Sequence, residues 1–294
     1  MADEERITAR LNNIRSVEPI LGAMRTISLG SWQAALNRQQ RIRGFSERLM
    51  SLLPSLLPHL APRQRKCRKN VHPAAPTVVL VIGSERGLCG AFNSSLAGYV
   101  QQSPDQYESQ GIPIELATLG GRIRRALERY GVPIAWSKSL PVSRLPGREL
   151  ASELTAMWLA RYEAYELDAV DLIYNAYLNS TSYRPVNTRL IPPVLPAVSQ
   201  DTAPWPPPYI DTDPVTLYTH VVHLWTTTEM YRVLLNAAAA EHSARFQLME
   251  GATQNSRRLI DELTMTLQAA RQHAITSEMQ ELATGAGLVG GGEA

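Results

Sequence analysis

PVTLYTHVVHLWTTTEMYRVLLNAAAAEHSARFQLMEGATQNSRRLIDELTMTLQAARQHAITSEMQELATG, residues 214–285, is the stretch on which the fold turns. No proline follows Pro214 and only Gly251 interrupts the run before Gly285, so nothing drives the backbone out of a helix. At 1.5 Å per residue such a helix is about 100 Å long and overhangs any domain this chain could build, so it needs a partner. Leu217, Val221, Leu224, Thr228, Tyr231, Leu235 and Ala238 follow the 3–4 alternation of a coiled-coil seam, and Leu248, Ala252, Asn255, Leu259 and Leu263 resume it. The seam is weak, because Thr228, His242 and Asn255 fall near it and Ala237–Ala240 offers only small side chains. The pattern describes a shaft held by its surroundings rather than a self-sufficient zipper.

The partner is at the other end of the chain. Ile7, Leu11, Ile14, Val17, Leu21 and Met24 mark one helical face, and Ile42, Phe45, Leu49 and Leu52 resume one further on. Asp3, Glu4 and Glu5 suit a helix N-terminus. Pro19 predicts a bend or irregularity over residues 15–19, and Pro54, Pro58 and Pro62 predict the end of the helix. The following RQRKCRK, residues 63–69, reads as a solvated basic loop; with no aromatic residue interleaved, it does not point to nucleic acid.

Between the helices the period changes. TVVLVI, from Thr77, is a β-branched run of strand length, and further strands are expected at 114–119, 134–136, 169–175 and 186–191. Helical patterns at 122–130 and 148–165 lie between them, which describes a small open α/β sheet of Rossmann-like type. Eight prolines between Ile191 and Val215 make a stiff linker into the long helix. The chain thus divides into an N-terminal coiled-coil helix (1–60), a basic and proline-containing linker (61–76), a Rossmann-like α/β domain (77–191), a proline-rich linker (192–213) and a C-terminal coiled-coil helix (214–294).

Chemistry is harder to find. Gly83, Gly87 and Gly90 follow a strand as phosphate-binding glycines do, but there is no Gly-x-Gly-x-x-Gly, no Gly-Lys-Ser/Thr and no acidic residue after the second strand. Cys67, His59 and His72 lack zinc spacing, and His220 and His223 have no carboxylate ligand set around them. The residues point to no catalytic site, no cofactor and no metal; a nucleotide-binding α/β enzyme and a free-standing coiled-coil adaptor remain alternatives. A net charge of +2 argues for no nucleic-acid partner, and there is no run of eighteen apolar residues to span a membrane. The acidic opening MADEERITAR lacks the apolar core of a signal peptide, and the two cysteines, Cys67 and Cys89, suit a reducing compartment.

VVLVIGSERGLCGAFNSSL resembles the Gly-Leu-Cys-Gly-x-Phe-Asn signature of the γ subunits of F-type ATP synthases, here Gly87, Leu88, Cys89, Gly90, Phe92 and Asn93. LLNAAAAEHSARFQLMEGATQNSRRLIDELTMTLQAARQHAITSEMQELATGAG, ITARLNNIRSVEPILGAMRTIS and LIYNAYLNSTSYRPVNTRLIPP are similar to that family's C-terminal, N-terminal and late-strand blocks, so the resemblance covers the whole chain. It implies an antiparallel coiled-coil shaft with a Rossmann-like α/β domain at its foot. The shaft would run inside a hexamer of α and β subunits, the foot would meet the ε subunit and the membrane c-ring, and the chain would carry no catalytic residue. By the same resemblance Arg271, Gln272, Thr276 and Glu278 would touch a catalytic-subunit loop, with Met24 facing the same region. Attachment to the membrane would be peripheral, through the complex, on the cytoplasmic face of a bacterial plasma membrane. Beyond Arg25 this chain has TISLGSWQAALNR where the family usually carries lysine and arginine. That departure, with Pro19, points to a divergent, alternative N-type F-ATPase.

Overall fold

A computed structural model describes residues 2–60, 75–102, 112–193 and 209–285. The expected basic loop at 63–69 and most of the proline-rich linker lie outside the described residues. The first strand, β1 (Thr77–Ile82), is buried at every position, as a continuous apolar run requires of a strand covered on both faces. It pairs in parallel with β2 (Ile114–Leu119) on one side and β4 (Ala169–Asn179) on the other. A short β3 (Trp136–Lys138) extends the sheet beyond β2, and β5 (Ser182–Ile191) runs antiparallel to β4, giving the order β3-β2-β1-β4-β5. The expected strand at 134–136 therefore sits two residues later, because Ala135 spends its N–H on the Leu116 carbonyl before the regular ladder starts.

The strand period separates two cores. Val78, Leu80 and Ile82 face a cluster with Leu154 and Trp158 of α4 (Arg148–Glu163) and Met230, Val233 and Leu234 of α5 (Pro214–Gly285). Val79 and Val81 face the other way, onto Leu96 and Ala97 of α2 (Phe92–Gln102) and Ile123 and Leu127 of α3 (Gly121–Arg129). The start of α5 is specified locally. Asp213 caps it by accepting from the Thr216 N–H at 2.8 Å and the Thr216 hydroxyl at 2.7 Å, and Pro214 follows in the first helical position, where a missing donor is harmless.

The N-terminal helix, α1, runs from Ala2 to Leu56 without a break. Pro19 does not interrupt it, although proline lacks the N–H that would bond the carbonyl four residues back. Pro54 lies inside the helix and the chain leaves it only through a 3-10 turn at Leu57–His59.

The chain divides into two units, Ser28–Arg245, which holds the sheet, and Met1–Ile27 with Phe246–Ala294. In the second, α1 and α5 pack antiparallel. Arg25 Nη1 meets Glu250 Oε2 at 2.8 Å, Arg257 Nε meets Glu18 Oε1 at 3.0 Å, and Arg271 Nε meets Glu4 Oε1 at 2.8 Å. Each step of seven or fourteen residues toward the start of α1 is matched by an equal step toward the end of α5, which is antiparallel heptad register. The seam on α1 contains Ile7, Leu11, Ile14, Glu18 and Leu21, and Val17 lies outside it, 45% exposed. On α5 the less exposed positions include Met249, Thr253, Ser256, Ile260, Leu263, Thr264 and Leu267. Of the expected seam of Leu248, Ala252, Asn255, Leu259 and Leu263, Leu263 lies in this stripe and Ala252 and Leu259 are half-buried, whereas Leu248, 41% exposed, and Asn255, exposed, lie outside it and Met249 and Ser256 take their places. The misplacement has a physical cause, since two polar residues, Thr253 and Ser256, occupy the inward stripe while Leu248 sits beside it.

Candidate functional site

The Gly83–Gly90 loop follows β1 and forms a closed knot rather than an open cradle. Asn93, in the first turn of α2, accepts from the Ser84 N–H at 3.0 Å through Oδ1 and donates to the Ser84 hydroxyl at 2.7 Å through Nδ2. The Ser84 hydroxyl in turn donates to the Arg86 carbonyl at 2.7 Å. Leu88 and Gly90 both take left-handed backbone, with φ of 61° and 59°. Gly90 takes it without a side-chain penalty, whereas Leu88 does so with its side chain exposed. Gly83 must be glycine for a different reason: a Cβ there would collide with Ile123 of α3. Glu85 ties the loop to the rest of the sheet end, accepting at 2.9 Å from both Gly121 N–H and Leu140 N–H.

Below the loop, Cys89 and Phe92 are buried against Ala240 of α5 and Tyr183 of β5. Burial pushes the Cys89 thiol up, which disfavours the thiolate, and its sulfur accepts from Asn93 Nδ2 at 3.6 Å. The Asn175 side chain, one residue past the end of the β1–β4 pairing, donates to the Phe92 carbonyl at 2.8 Å. Open α/β sheets bind nucleotides outside the carboxyl ends of the strands where strand order reverses, here between β1 and β4. In this chain that gap is bridged by Asn175 and Phe92.

The loop is also clasped by the long helix. Arg245, whose side chain is 7% exposed, donates to the Gly87 carbonyl at 3.3 Å and the Arg86 carbonyl at 3.4 Å. It is paired one turn back with Glu241 at 2.5 Å, and it also meets His242 Nδ1 at 3.2 Å. Burial pushes the Glu241 carboxyl up, with the Arg245 charge opposing that shift. Burial and then the Arg245 charge hold the His242 pKa down at about 4, so the ring is neutral near pH 7. A turn and a half earlier, Asn236 accepts from the Tyr177 N–H at 2.9 Å, and Tyr177 stacks at a tilt on Trp32 of α1 with ring centroids 6.1 Å apart. Small residues Ala35, Ala238 and Ala239 pack beside this contact. Sequence reasoning placed the Gly-Leu-Cys-Gly-x-Phe-Asn residues in one loop but missed that Arg245, paired with Glu241, receives it and that Asn236 holds β4 beside it. The available signal was polar residues at helical spacing on a face that otherwise reads as alanine.

The residues expected on the shaft do not form one patch. Arg271 is engaged with Glu4, about 20 residues along α1 from Met24, a separation of about 30 Å at helical rise. Gln272, Thr276 and Glu278 are exposed on the last turns of α5, and the Thr276 hydroxyl bonds back to the Gln272 carbonyl at 2.8 Å. Met24 is partly exposed, between Val17, Ile20 and Ile27, which are 45%, 59% and 67% exposed. No helix among the described residues is long and apolar enough to cross a membrane.

Known proteins share this arrangement. The structure superimposes on a chain of the Euglena gracilis mitochondrial ATP synthase (OSCP/F1/c-ring, rotational state 3) with a TM-score of 0.65 at 14% identity, covering all of this chain and 97% of that one. It matches a chain of the Tetrahymena thermophila mitochondrial ATP synthase central stalk/c-ring structure with a TM-score of 0.57 at 21% identity, over 79% of this chain and 99% of that one. These likenesses concern the fold. In sequence, the ATP synthase gamma chain of Anaeromyxobacter dehalogenans is 30% identical over 95% of this chain and 97% of its own length, and that of Pelotomaculum thermopropionicum is 28% identical over 94% and 95%. The profile of a family described as ATP synthase matches residues 4–288, and with it the chain belongs to the ATP synthase gamma-chain family.

Proposed function

We propose that this chain is the rotating central stalk of an F-type ATP synthase and that it transmits torque without performing chemistry itself. The observation that supports this most strongly is the make-up of the Met1–Ile27 and Phe246–Ala294 shaft. Among its described residues only Leu11, Met249, Thr253 and Leu267 are buried, while ion pairs in heptad register hold the two helices together. Such a pair of helices is left with most of its surface for a surrounding partner. In this reading the partner is a hexamer of α and β subunits, and the α/β domain meets the ε subunit and the membrane c-ring.

The mechanism is differential contact. An asymmetric shaft presents a different face to each catalytic β subunit as it turns, and a face that binds one conformation better shifts that subunit toward it. The coupling is reciprocal, so nucleotide turnover at the β subunits also drives the shaft. Gln272, Thr276 and Glu278 supply exposed polar contacts to the β subunits, and Arg271 reaches them while tied to Glu4. Around Met24 the contact is apolar, through Val17, Ile20 and Ile27, in place of the positive charges usual in the family. That difference supports assignment to an alternative, N-type complex. The chain is held peripherally on the cytoplasmic face of a bacterial plasma membrane through its partners.

The test is gentle affinity purification of the tagged chain from its host. Co-purification of stoichiometric α- and β-type subunits, with nucleotide hydrolysis that stops when the shaft is cross-linked to β, is the expected result. A chain that elutes alone or as a homodimer overturns the rotor reading in favour of an adaptor.

A further inference from the structure

Helix α3 carries four arginines in nine residues, GRIRRALER, and three of them are on the wrong end for its own stability. Arg122, Arg124 and Arg125 occupy its first half, no acidic residue sits in the first turn, and cations there oppose the helix dipole. The apolar side of the helix is spent on the core, with Ile123, Ala126 and Leu127 all buried. Arg122, Arg125 and Arg129 recur at i, i+3 and i+7 and are exposed, so they form one ridge about 10 Å long. Together with Glu128 they line an open cleft of about 470 Å³. Glu128 is 3.7 Å from Arg124, while none of Arg122, Arg125 and Arg129 has a carboxylate partner among the described residues.

We infer that this ridge is a docking site for an acidic polypeptide segment of a partner subunit, one that places carboxylates opposite Arg122, Arg125 and Arg129. Guanidinium forks at this spacing match carboxylates presented at i, i+3 or i+4 and i+7 on a helix. The sign pattern selects a protein over a uniform polyanion. Glu128 lies among the arginines and repels a phosphate polymer or an anionic membrane, whereas a folded segment can set a donor against it. Apart from Tyr130 at its end, the helix exposes no apolar side chain that could enter a lipid surface.

The ridge is also wired to the long helix. The Arg122 guanidinium lies beside Gly87, 3.3–3.5 Å from where a Cβ on that glycine would be, and the Gly87 carbonyl accepts from Arg245 of α5. A segment bound on the ridge therefore lies next to the loop that α5 clasps.

This inference rests on the rotor reading, since it needs the chain to sit among partner subunits. The experiment uses the purified complex carrying the full chain with Arg125→Lys or Arg129→Lys, treated with a water-soluble carbodiimide that joins a lysine amine to a carboxylate in direct contact. The expected result is a new amide between the introduced lysine and an Asp or Glu of another subunit, absent from the parent complex. The triple variant R122Q/R125Q/R129Q should release that subunit about tenfold faster on dilution at 0.15 M salt. An intact complex with no such cross-link overturns the ridge alone. So does loss, in the triple variant, of full-chain binding to phosphatidylcholine vesicles containing phosphatidylglycerol without any cross-link, which assigns the ridge to lipid. A parent chain that purifies without α- and β-type subunits brings down the rotor reading, and the ridge with it.

Discussion

The sheet-bearing unit and the shaft are built from the same two helices and are stabilised in opposite ways. Around β1, the sheet unit buries Trp158, Phe92, Leu80, Ile82, Leu119 and Leu127 almost completely. The shaft buries four side chains among its described residues and relies on register-setting charge pairs. The difference teaches where the fold is self-sufficient and where it waits for a partner. The contrast breaks first at Trp158, packed edge-on against Trp136 with ring centroids 6.0 Å apart. Trp158→Ala should cost about 3–5 kcal/mol, while Leu267→Ala in the shaft should cost well under about 2 kcal/mol because the site is shallow and can relax. Denaturant unfolding of the isolated chain measures both; equal losses would mean that the shaft has a core of its own.

The next largest effect belongs to the clasp. Arg245→Met leaves the Glu241 carboxyl buried without its cation and frees the Gly87 and Arg86 carbonyls, a loss of about 3 kcal/mol. Combining it with Glu241→Gln should recover most of that, because the uncompensated charge is gone. Thermal unfolding of the two variants distinguishes a charge penalty from lost packing. A double variant as unstable as the single one would show that the hydrogen bonds to the loop, rather than the charge, matter.

His242 sharpens the same comparison by pH. Its folded pKa of about 4 lies below the ordinary histidine value of 6.5, so the unfolded chain takes up a proton first as pH falls. Its contribution to stability is whole above pH 6.5 and is lost on acidification toward pH 4. His242→Asn should flatten the stability profile across that window by about 2 kcal/mol relative to the parent, and the difference between the two chains removes the opposite trend from Glu241, whose carboxyl is raised by burial.

The parts of this molecule legible in the sequence are those where one periodicity dominates. TVVLVI has a single reading, and the strand and its two covered faces follow from it. The 72 residues of α5 were legible because they lack breakers, and Asp213-Pro214 marks their start. The seam register was not legible, because Thr253 and Ser256 face inward while Leu248 faces out, and hydropathy alone chooses the leucine. The charge ladder was hidden for the same reason: Glu18 and Arg257 are 239 positions apart and become partners only when the register is known. Pro19 misled in the other direction, since a long helix packed along one side tolerates one missing backbone bond. In the clasp, Gly87 to Asn93 were visible as a motif, but Arg245 could be matched to them only in three dimensions.

The ladder itself gives the smallest effect and the most specific one. The Glu4–Arg271, Glu18–Arg257 and Arg25–Glu250 pairs skip one heptad step, and there the register puts Leu11, 3% exposed, opposite Thr264. The rungs differ in polarity: α1 supplies the carboxylate in two of them and the cation in the third. A shift of either helix by one heptad would set Arg25 against Arg257, a like-charge contact, so the pattern opposes slippage more than it adds stability. Exposed pairs of this kind contribute about 0.2–1 kcal/mol each, and salt weakens them. Glu18→Arg should therefore lower the unfolding midpoint slightly. Its real signature is register, read by a disulfide between Cys residues introduced at positions 11 and 264, which forms readily only when those positions face one another. In the Glu18→Arg background that disulfide should form more slowly, and adding Arg257→Glu should restore its rate by reversing the pair. Restoration fails if Glu18 and Arg257 are bystanders on a shaft whose register is set by apolar seam residues such as Ile7, Ile14 and Leu267 alone.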